Sequence, residues 1–176
     1  MNNLAINIEK RVKEILEDCE FSNFRDQFSI TINKTELLKL AEILKTEFNF
    51  EQLVDVTAVD YLGKRDKRYN VVYFLYSLSN KFKLRINIPI EEGETLPTLT
   101  ALWESADWYE RETYDMFGII FENHPDLRRF YMPEDFKDPD SGEPLHPLRK
   151  DFPLMGIEGS LPLPKFPEKS EIQKKK

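Results

Sequence analysis

The chain has 176 residues, of which 40% are hydrophobic and 32% charged, a composition typical of a globular domain with a large polar surface. With 32 Asp and Glu against 25 Lys and Arg, the formal net charge is −7, so the clustered basic surface of a nucleic-acid-binding protein is not indicated. No apolar run approaches the roughly 20 residues that span a bilayer. The N-terminal residues mix charged and aliphatic types, unlike a signal peptide. We therefore expect neither a nucleic-acid partner nor a membrane span.

Redox and metal chemistry are equally disfavoured by composition. An iron–sulfur cluster needs about four thiolates and a structural zinc site about four Cys or His ligands. The chain has Cys19, His124 and His146 as its whole complement of these residues, and its six glycines form neither a GxGxxG nor a P-loop motif. We expect no cofactor in this chain. A single cysteine also fits a reducing compartment, because it cannot form an internal disulfide.

Hydrophobic periodicity predicts the elements of the N-terminal half. Aliphatic residues at helical spacing predict a helix over residues 4–19, and alternation predicts a strand over 28–32. Asn33 can cap a second helix, with apolar positions that continue to Phe48. Residues 53–62 and 69–78 are rich in β-formers and flank a charged turn, so they predict two strands.

In the C-terminal half, strict alternation predicts a strand over residues 82–88, ended by Pro89. A helix is predicted over 98–117, with Gly118 placed to end it. The resulting order, α-β-α-β-β-β-α, predicts an α+β fold whose mixed, antiparallel-rich sheet carries its helices on one face. Nine of the eleven prolines lie in residues 125–167, so we divide the chain into an α+β domain, 1–124, and an extended C-terminal arm, 125–176.

The predicted helix 98–117 contains the most informative polar pattern. At about 100° per residue, Glu110 falls in the middle of its apolar face, whereas Arg111, Glu112 and Asp115 fall on the opposite face as a surface network. A carboxylate on an apolar face must be paired or neutral. We expect Glu110 to be buried, held by an ion pair or by several hydrogen bonds, with Arg128 or Arg129 as its partner.

Two short charged segments stand out in the proline-rich arm. The first contains Arg128 and Arg129, four residues after His124, and the second runs from His146 through Arg149 and Lys150. Guanidinium groups beside aromatic rings in proline-stiffened segments are typical of docking elements. We expect this arm to lie extended across a partner, and we expect much of residues 132–167 to be mobile in the isolated chain.

These motifs resemble one known family. Glu110-Arg111-Glu112, then Asp115-Met116-Phe117, His124 and Arg128-Arg129, together with the block His146-Pro-Leu-Arg149-Lys150, are similar to the signature of the thirty-kilodalton subunit family of NADH-quinone oxidoreductase, respiratory complex I. In bacteria this subunit is designated C. The resemblance covers about residues 103–156. It implies that these charged residues have structural or interface roles and that none is catalytic.

The resemblance further implies a non-catalytic subunit of the peripheral arm of a proton-translocating NADH:quinone oxidoreductase, on the cytoplasmic face of the inner or plasma membrane. Its neighbours would be the quinone-reducing subunit, designated D, and iron–sulfur subunits. Those other subunits would hold NADH, FMN, the iron–sulfur clusters and quinone, and the isolated chain would have no activity.

Three alternatives remain open at this stage. The chain could belong to a related membrane-bound hydrogenase or an F420H2- or ferredoxin-linked complex. It could be a free-standing adaptor that recruits partners through its proline-rich arm. It could also be a stand-alone hydrolase that uses Glu110, Glu112 or Asp115 together with His124.

Overall fold

The computed structural model describes residues 3–16, 18–25 and 27–153. Within these ranges the helices and strands, in chain order, are α1 Asn3–Ile15, β1 Cys19–Phe24, β2 Gln27–Ile32, α2 Leu37–Thr46, β3 Gln52–Asp60, β4 Tyr69–Ser77, β5 Phe82–Ile90, β6 Leu96–Pro97, α3 Ala106–Phe117 and β7 Phe121–Glu122. A single 3₁₀ turn, Lys34–Glu36, leads into α2.

The described strands form a five-stranded sheet in the order β1-β2-β5-β4-β3. Its β1–β2, β5–β4 and β4–β3 pairs are antiparallel. The β2–β5 pair is parallel, and the crossover that a parallel pair requires consists of α2, β3 and β4. The short strands β6 and β7 pair in parallel beside this sheet. The predicted α+β class with a mixed, antiparallel-rich sheet is confirmed.

One face of the sheet forms the hydrophobic core. Inward positions alternate along β2, β4 and β5, and α1 and α2 pack their apolar faces against them. In β3 a register shift between Leu53 and Asp55 turns Val54 outward, and it keeps both Leu53 and Val56 in the core. The buried residues that these elements share are Ile8, Val12, Ile30, Leu40, Leu44, Val71, Tyr73, Leu75, Leu84, Ile86 and Ile88.

Helix α3 and the loop before it cover the β3 edge of the sheet. The Thr113 hydroxyl donates to the Val56 carbonyl at 2.8 Å, and the Ser105 hydroxyl donates to the Leu53 carbonyl at 2.9 Å. The Trp103 indole N–H donates to the Phe50 carbonyl, just before β3, at 3.0 Å. These donors satisfy backbone acceptors that an edge strand would otherwise leave unpaired.

The structure corrects the predicted end of the first helix. The helix over 4–19 ends at Ile15, and Cys19 lies in β1, opposite Ile32 of β2. Strand β1 was missed because its residues are half-buried or exposed, so it lacks the strong apolar alternation of β2. Its stability comes from antiparallel pairing with β2, from Cys19 opposite Ile32 to Phe24 opposite Gln27.

Two further boundaries differ from the sequence analysis. Pro89 lies inside β5, opposite Asn70 of β4. Because the pairing of β5 with β2 stops at Asn87, β2 loses no hydrogen bond through the missing N–H of Pro89. The last helix begins at Ala106, not at residue 98. Residues 98–105 form turns and irregular backbone instead, and at their start Glu110 accepts hydrogen bonds from the Thr98 hydroxyl and the Leu99 N–H.

Residues 125–153 contain no helix or strand, and an isolated bridge joins Lys137 to Pro144. This part of the arm lies against the α+β domain and donates backbone N–H groups to it, such as Leu148 to the Met116 carbonyl at 3.1 Å. The predicted boundary after residue 124 stays a prediction. The segment expected to be mobile extends to residue 167, and its part beyond Pro153 lies outside the described residues.

Candidate interaction site

Both charged segments of the arm converge on the C-terminal half of α3. Gly118 ends this helix in the left-handed conformation, φ +80°, and its N–H donates to the Tyr114 carbonyl at 2.8 Å. The His146 ring lies directly over Gly118: a Cβ at this position would stand 2.8 Å from the ring. Glycine is therefore needed at position 118 for two reasons: the left-handed backbone that ends the helix, and the close approach of His146 in the second arm segment.

Asp115 is the anchor of the first arm segment. Its Oδ1 accepts a hydrogen bond from Arg129 Nη1 at 3.0 Å, and its Oδ2 accepts the successive backbone N–H groups of Phe130, Tyr131 and Met132 at 3.1, 2.7 and 2.8 Å. The carboxylate is completely buried. Its charge is balanced by one guanidinium and three backbone dipoles.

Arg129 also ties together parts of the arm itself. Its guanidinium donates to the carbonyls of Leu145 and Phe136 as well as to Asp115. Leu145 precedes His146, so this one side chain links the first arm segment to the second. The pair of Asp115 and Arg129 thus fixes the course of both segments on α3.

Arg111 is buried, contrary to the surface position expected from helical periodicity. Its guanidinium donates to the carbonyls of Arg128 and Arg129 at 3.3 Å each. It also lies 5.0 Å from the ring centre of Trp108 and 5.6 Å from that of Phe130. Arg111 and Asp115 were both placed on a solvated face, which is wrong because the arm folds back over that face.

Glu110 is completely buried, as expected, and of the two predicted ways of holding it the structure has hydrogen bonds; the predicted partner, Arg128 or Arg129, is wrong. Its Oε2 accepts the Thr98 hydroxyl at 2.5 Å and its Oε1 accepts the Leu99 N–H at 2.8 Å. Arg129 is instead paired with Asp115. Without a counter-charge, burial raises the pKa of Glu110 to about 7, although the bonds from Thr98 and Leu99 act in the opposite direction.

The two histidines are structural members of the same region. His124 is enclosed: its Nδ1 accepts the Asp126 N–H at 3.1 Å, so its Nε2 carries the hydrogen and donates to the Asp107 carbonyl at 3.1 Å. His146 Nδ1 lies 2.9 Å from the Asp115 carbonyl, and burial lowers the pKa of this imidazole. Each ring therefore joins α3 to a different arm segment.

A third buried carboxylate, Asp60 at the end of β3, holds the segment after His146. It accepts the backbone N–H of Lys150 at 2.9 Å and the Arg68 guanidinium at 3.0 and 3.2 Å. Burial alone would raise the pKa of Asp60, but the bonds from Arg68 and from backbone N–H groups lower it below its ordinary value.

The Asp60 contact is part of a larger ion network. Arg68 also pairs with Glu92 at 2.7 Å and with Asp151 at 3.0 Å, and Arg149 pairs with the same two acids. The hydrogen bond from Arg149, reinforced by Arg68, lowers the pKa of Asp151 well below its ordinary value. Arg149 and Lys150 were expected to contact a partner chain through their charged side chains. In the structure Arg149 binds Glu92 of the α+β domain, and the backbone N–H of Lys150 binds Asp60 there.

Sequence reasoning did not identify Asp60, Arg68 or Glu92 as members of this network. One signal was present: Asp60 shares the inward parity of Val56 and Ala58 in β3, so its carboxylate had to be buried and paired. Glu112, a predicted motif residue, is half-buried on α3, and burial, followed by the nearby charge of Asp55, raises its pKa. Its predicted structural or interface role stays a prediction.

Comparison with known proteins addresses the identity of this arrangement. Residues 30–158, which contain both charged segments, match the family described as the 30 Kd subunit of respiratory-chain NADH dehydrogenase. The chain belongs to this family. It is 47% identical over 156 residues to the NADH-quinone oxidoreductase subunit designated C of Geotalea uraniireducens, and the match covers 88% of this chain and 90% of that one.

Other members of the 30-kDa subunit family are similar over comparable lengths. The corresponding subunit of Citrifermentans bemidjiense is 42% identical over 156 residues, covering 88% of this chain and 91% of its own. A solved structure of the membrane-bound sulfane sulfur reductase, an archaeal respiratory membrane complex, contains a chain with a TM-score of 0.67 and 27% identity, covering 85% of this chain and 86% of that one. The fold therefore recurs in more than one respiratory complex.

Two further properties of the described residues concern membrane-spanning helices and metal sites. None of the helices within 3–16, 18–25 and 27–153 is long and apolar enough to cross a membrane. The same residues bring together no group of three or more His, Cys, Asp or Glu side chains that could hold a metal ion.

Proposed function

We propose that this chain is a non-catalytic, cofactor-free subunit in the peripheral arm of a proton-translocating NADH:quinone oxidoreductase, in the position of the thirty-kilodalton subunit. The observation that carries the proposal is the family match over residues 30–158, because it includes both charged segments and the elements on which they fold. Identity of 47% to a named subunit of this enzyme over nearly the whole of both chains supports it.

The geometry of the motif residues supports a scaffolding role. The carboxylate of Asp115 and the guanidinium groups of Arg111 and Arg129 are bound within the chain, and they serve to hold the arm on α3. A hydrolase built on Glu110, Glu112 or Asp115 with His124 would need an accessible acid or base beside a substrate. The enclosed His124 ring and the buried Glu110 and Asp115 are poorly suited to that task.

In this role the chain would lie on the cytoplasmic side of the membrane and contact the quinone-reducing subunit together with neighbouring iron–sulfur subunits. Those subunits would hold NADH, FMN, the iron–sulfur clusters and quinone. The chain itself would supply a rigid surface on which they are positioned.

A second assignment, to a related respiratory complex with another electron donor, is favoured by one observation. The membrane-bound sulfane sulfur reductase contains a chain of the same fold at a TM-score of 0.67. The higher identity of 47% to a subunit of NADH-quinone oxidoreductase leads us to prefer NADH and quinone as the reactants of the complex.

Deletion and complementation of the gene test the proposal. Membranes that lack this chain should lose NADH-dependent quinone reduction, and expression of the full chain should restore it. The purified chain alone should neither reduce quinone with NADH nor show flavin or iron–sulfur absorbance. Unchanged membrane activity after deletion, or a stoichiometric redox group in the pure chain, would contradict the assignment.

A further inference from the structure

Three large aromatic side chains lie together on the surface where the arm crosses α3. Trp108 is 51% exposed, Phe130 40% and Tyr131 57%. The Trp108 and Phe130 rings are 5.0 Å apart in an edge-on arrangement, and the Phe130 and Tyr131 rings are 4.4 Å apart. We refer to Trp108, Phe130 and Tyr131 as the aromatic ridge. Contiguous aromatic surface of this kind is typical of an interaction site.

The backbone beneath the ridge is held rigidly. The N–H groups of Phe130 and Tyr131 are bound by the buried Asp115 carboxylate, which fixes the backbone that carries the two rings. Arg111 supports the rings from below, with its guanidinium against both Trp108 and Phe130. An aromatic surface that is ordered before binding loses little conformational entropy when a partner docks.

The rim of the ridge is acidic. Asp126 pairs with Arg128 at 2.8 Å, and Glu134 and Asp107 lie close enough to this guanidinium to raise its pKa further. Against these three acids stand two guanidinium groups, those of Arg111 and Arg128, which leaves an excess of one negative charge. The acids of the rim are Asp107, Asp126 and Glu134.

We propose that the aromatic ridge is a docking surface for an arginine-bearing face of another subunit of the complex. Guanidinium groups suit both parts of this surface, because they stack on aromatic rings and pair with carboxylates in a bidentate manner. The proposal rests on the proposed function for the existence of the complex. It extends that function by naming the surface of this chain and the chemistry of the partner.

The acidic rim distinguishes this occupant from a second copy of the chain. In a symmetric dimer each ridge would meet an identical ridge, and their excess negative charges would face one another. A basic partner instead gains from the same charges. Its docking should therefore weaken as salt screens the rim.

The test uses the assembled complex, purified through a tag on another subunit from cells that produce this chain as wild type or as Tyr131→Ser. Phe24→Ser is the matched control, since Phe24 is 68% exposed on β1, at the opposite edge of the sheet. The measurement is the ratio of this chain to the tagged subunit after washes of increasing salt. We expect Tyr131→Ser to lower retention at least tenfold and Phe24→Ser to leave it unchanged.

A photo-reactive phenylalanine at position 131 of the assembled complex identifies the occupant directly. Cross-linking to an arginine-bearing segment of another subunit is the expected result. Cross-linking to a second copy of this chain, to an acidic segment, or to nothing, would overturn the proposal, as would equal retention of Tyr131→Ser and wild type. Unfolding curves of each purified variant confirm that the fold is retained.

Failure of the proposed function has a different signature. If the wild-type chain does not co-purify with the complex at all, the chain is not a subunit of it, and the docking surface falls with that assignment. If the wild type co-purifies and the ridge variant does so equally well, the subunit assignment stands and the ridge is not its contact.

Discussion

The Asp115 carboxylate lies 3.0 Å from the Arg129 guanidinium, and the two side chains are only 0% and 9% exposed. Asp115 belongs to α3, whereas Arg129 belongs to the arm. The same carboxylate binds three backbone N–H groups of the arm. This buried carboxylate therefore fixes arm residues 129–132 to helix α3. Its removal should therefore affect the stability of the whole C-terminal half.

Replacement of Asp115 by Asn tests the contribution of the Asp115–Arg129 contact to stability. The variant keeps the side-chain volume but leaves the Arg129 guanidinium buried without its counter-charge. We expect the free energy of unfolding to fall by about 3–5 kcal/mol, measured by urea denaturation. Asp126→Asn is the control, because Asp126 also pairs with an arginine, Arg128, at 2.8 Å but on the exposed surface; it should leave stability nearly unchanged.

Glu110 should make stability depend on pH. Since the pKa of Glu110 is raised to about 7 in the folded chain, the folded state binds more protons than the unfolded state above the ordinary Glu pKa. Its contribution to stability is therefore complete below the ordinary pKa and lost as pH rises through about 7. Relative to Glu110→Gln, the wild type should lose about 2–3 kcal/mol of unfolding free energy between pH 5 and 8.

Thr98→Val provides a second check on Glu110. The Thr98 hydroxyl donates to the carboxylate and lowers its pKa against the larger effect of burial. Its removal should move the midpoint of the pH dependence above that of the wild type. A stability difference between wild type and Glu110→Gln that stays constant from pH 5 to 8 would show that Glu110 does not titrate in this range.

Gly118→Ala tests the contact between the helix end and the second arm segment. The new Cβ would meet the His146 ring at 2.8 Å in addition to the strain of a left-handed alanine. Gly63 has a similar φ of +69° with nothing within 4 Å of its Cβ position, so Gly63→Ala measures the backbone strain alone, about 1–2 kcal/mol. We expect Gly118→Ala to be more destabilising than Gly63→Ala in thermal unfolding.

The difference between these two glycine variants should depend on His146. In a double-mutant cycle, His146→Ala should remove the extra cost of Gly118→Ala, because the ring that the Cβ meets is gone. Equal destabilisation by the two glycine substitutions would indicate that the His146 ring moves aside freely.

Thr113→Val tests the cover of the β3 edge. Thr113 donates to the carbonyl of Tyr109, four residues earlier in its helix, and also to the buried Val56 carbonyl of β3. Loss of the hydroxyl should cost about 1–3 kcal/mol, because the Val56 acceptor is left without it. Thr46 donates only to the Glu42 carbonyl on the surface of α2, so Thr46→Val should have a much smaller effect on the unfolding midpoint.

Hydrogen exchange on the isolated chain distinguishes a docked arm from a mobile one. The N–H groups of Tyr131, Leu148 and Lys150 are bound to Asp115, the Met116 carbonyl and Asp60. We expect them to be protected from exchange without any partner, and Asp60→Asn to increase exchange at Lys150 selectively. Rapid exchange at all three amides would support the mobile arm that the proline content predicted.

The sequence by itself determined the class of fold and most of its elements, because local periodicity is a property of neighbouring residues. Alternation along β2 and β5, the β-forming residues of β4 and the apolar spacing of α2 and α3 were sufficient to predict these five elements, although the start of α3 was placed too early. The position of Glu110 on an apolar face was also sufficient to predict its burial. The resemblance of both charged segments to one family predicted the family match.

Only the tertiary structure decided which charges meet. Helical periodicity predicts a solvent-exposed position for Asp115. The residue is buried because residues 129–132 of the arm fold back over it and bind its carboxylate. Arg68 and Asp151 are far apart in the chain, and β4 and the arm bring them to 3.0 Å. Helical and strand periodicity describe one element at a time, whereas the pairing of a buried charge depends on the element packed against it. Long-range packing, which no local pattern encodes, therefore set the partners of Asp60, Glu110 and Asp115.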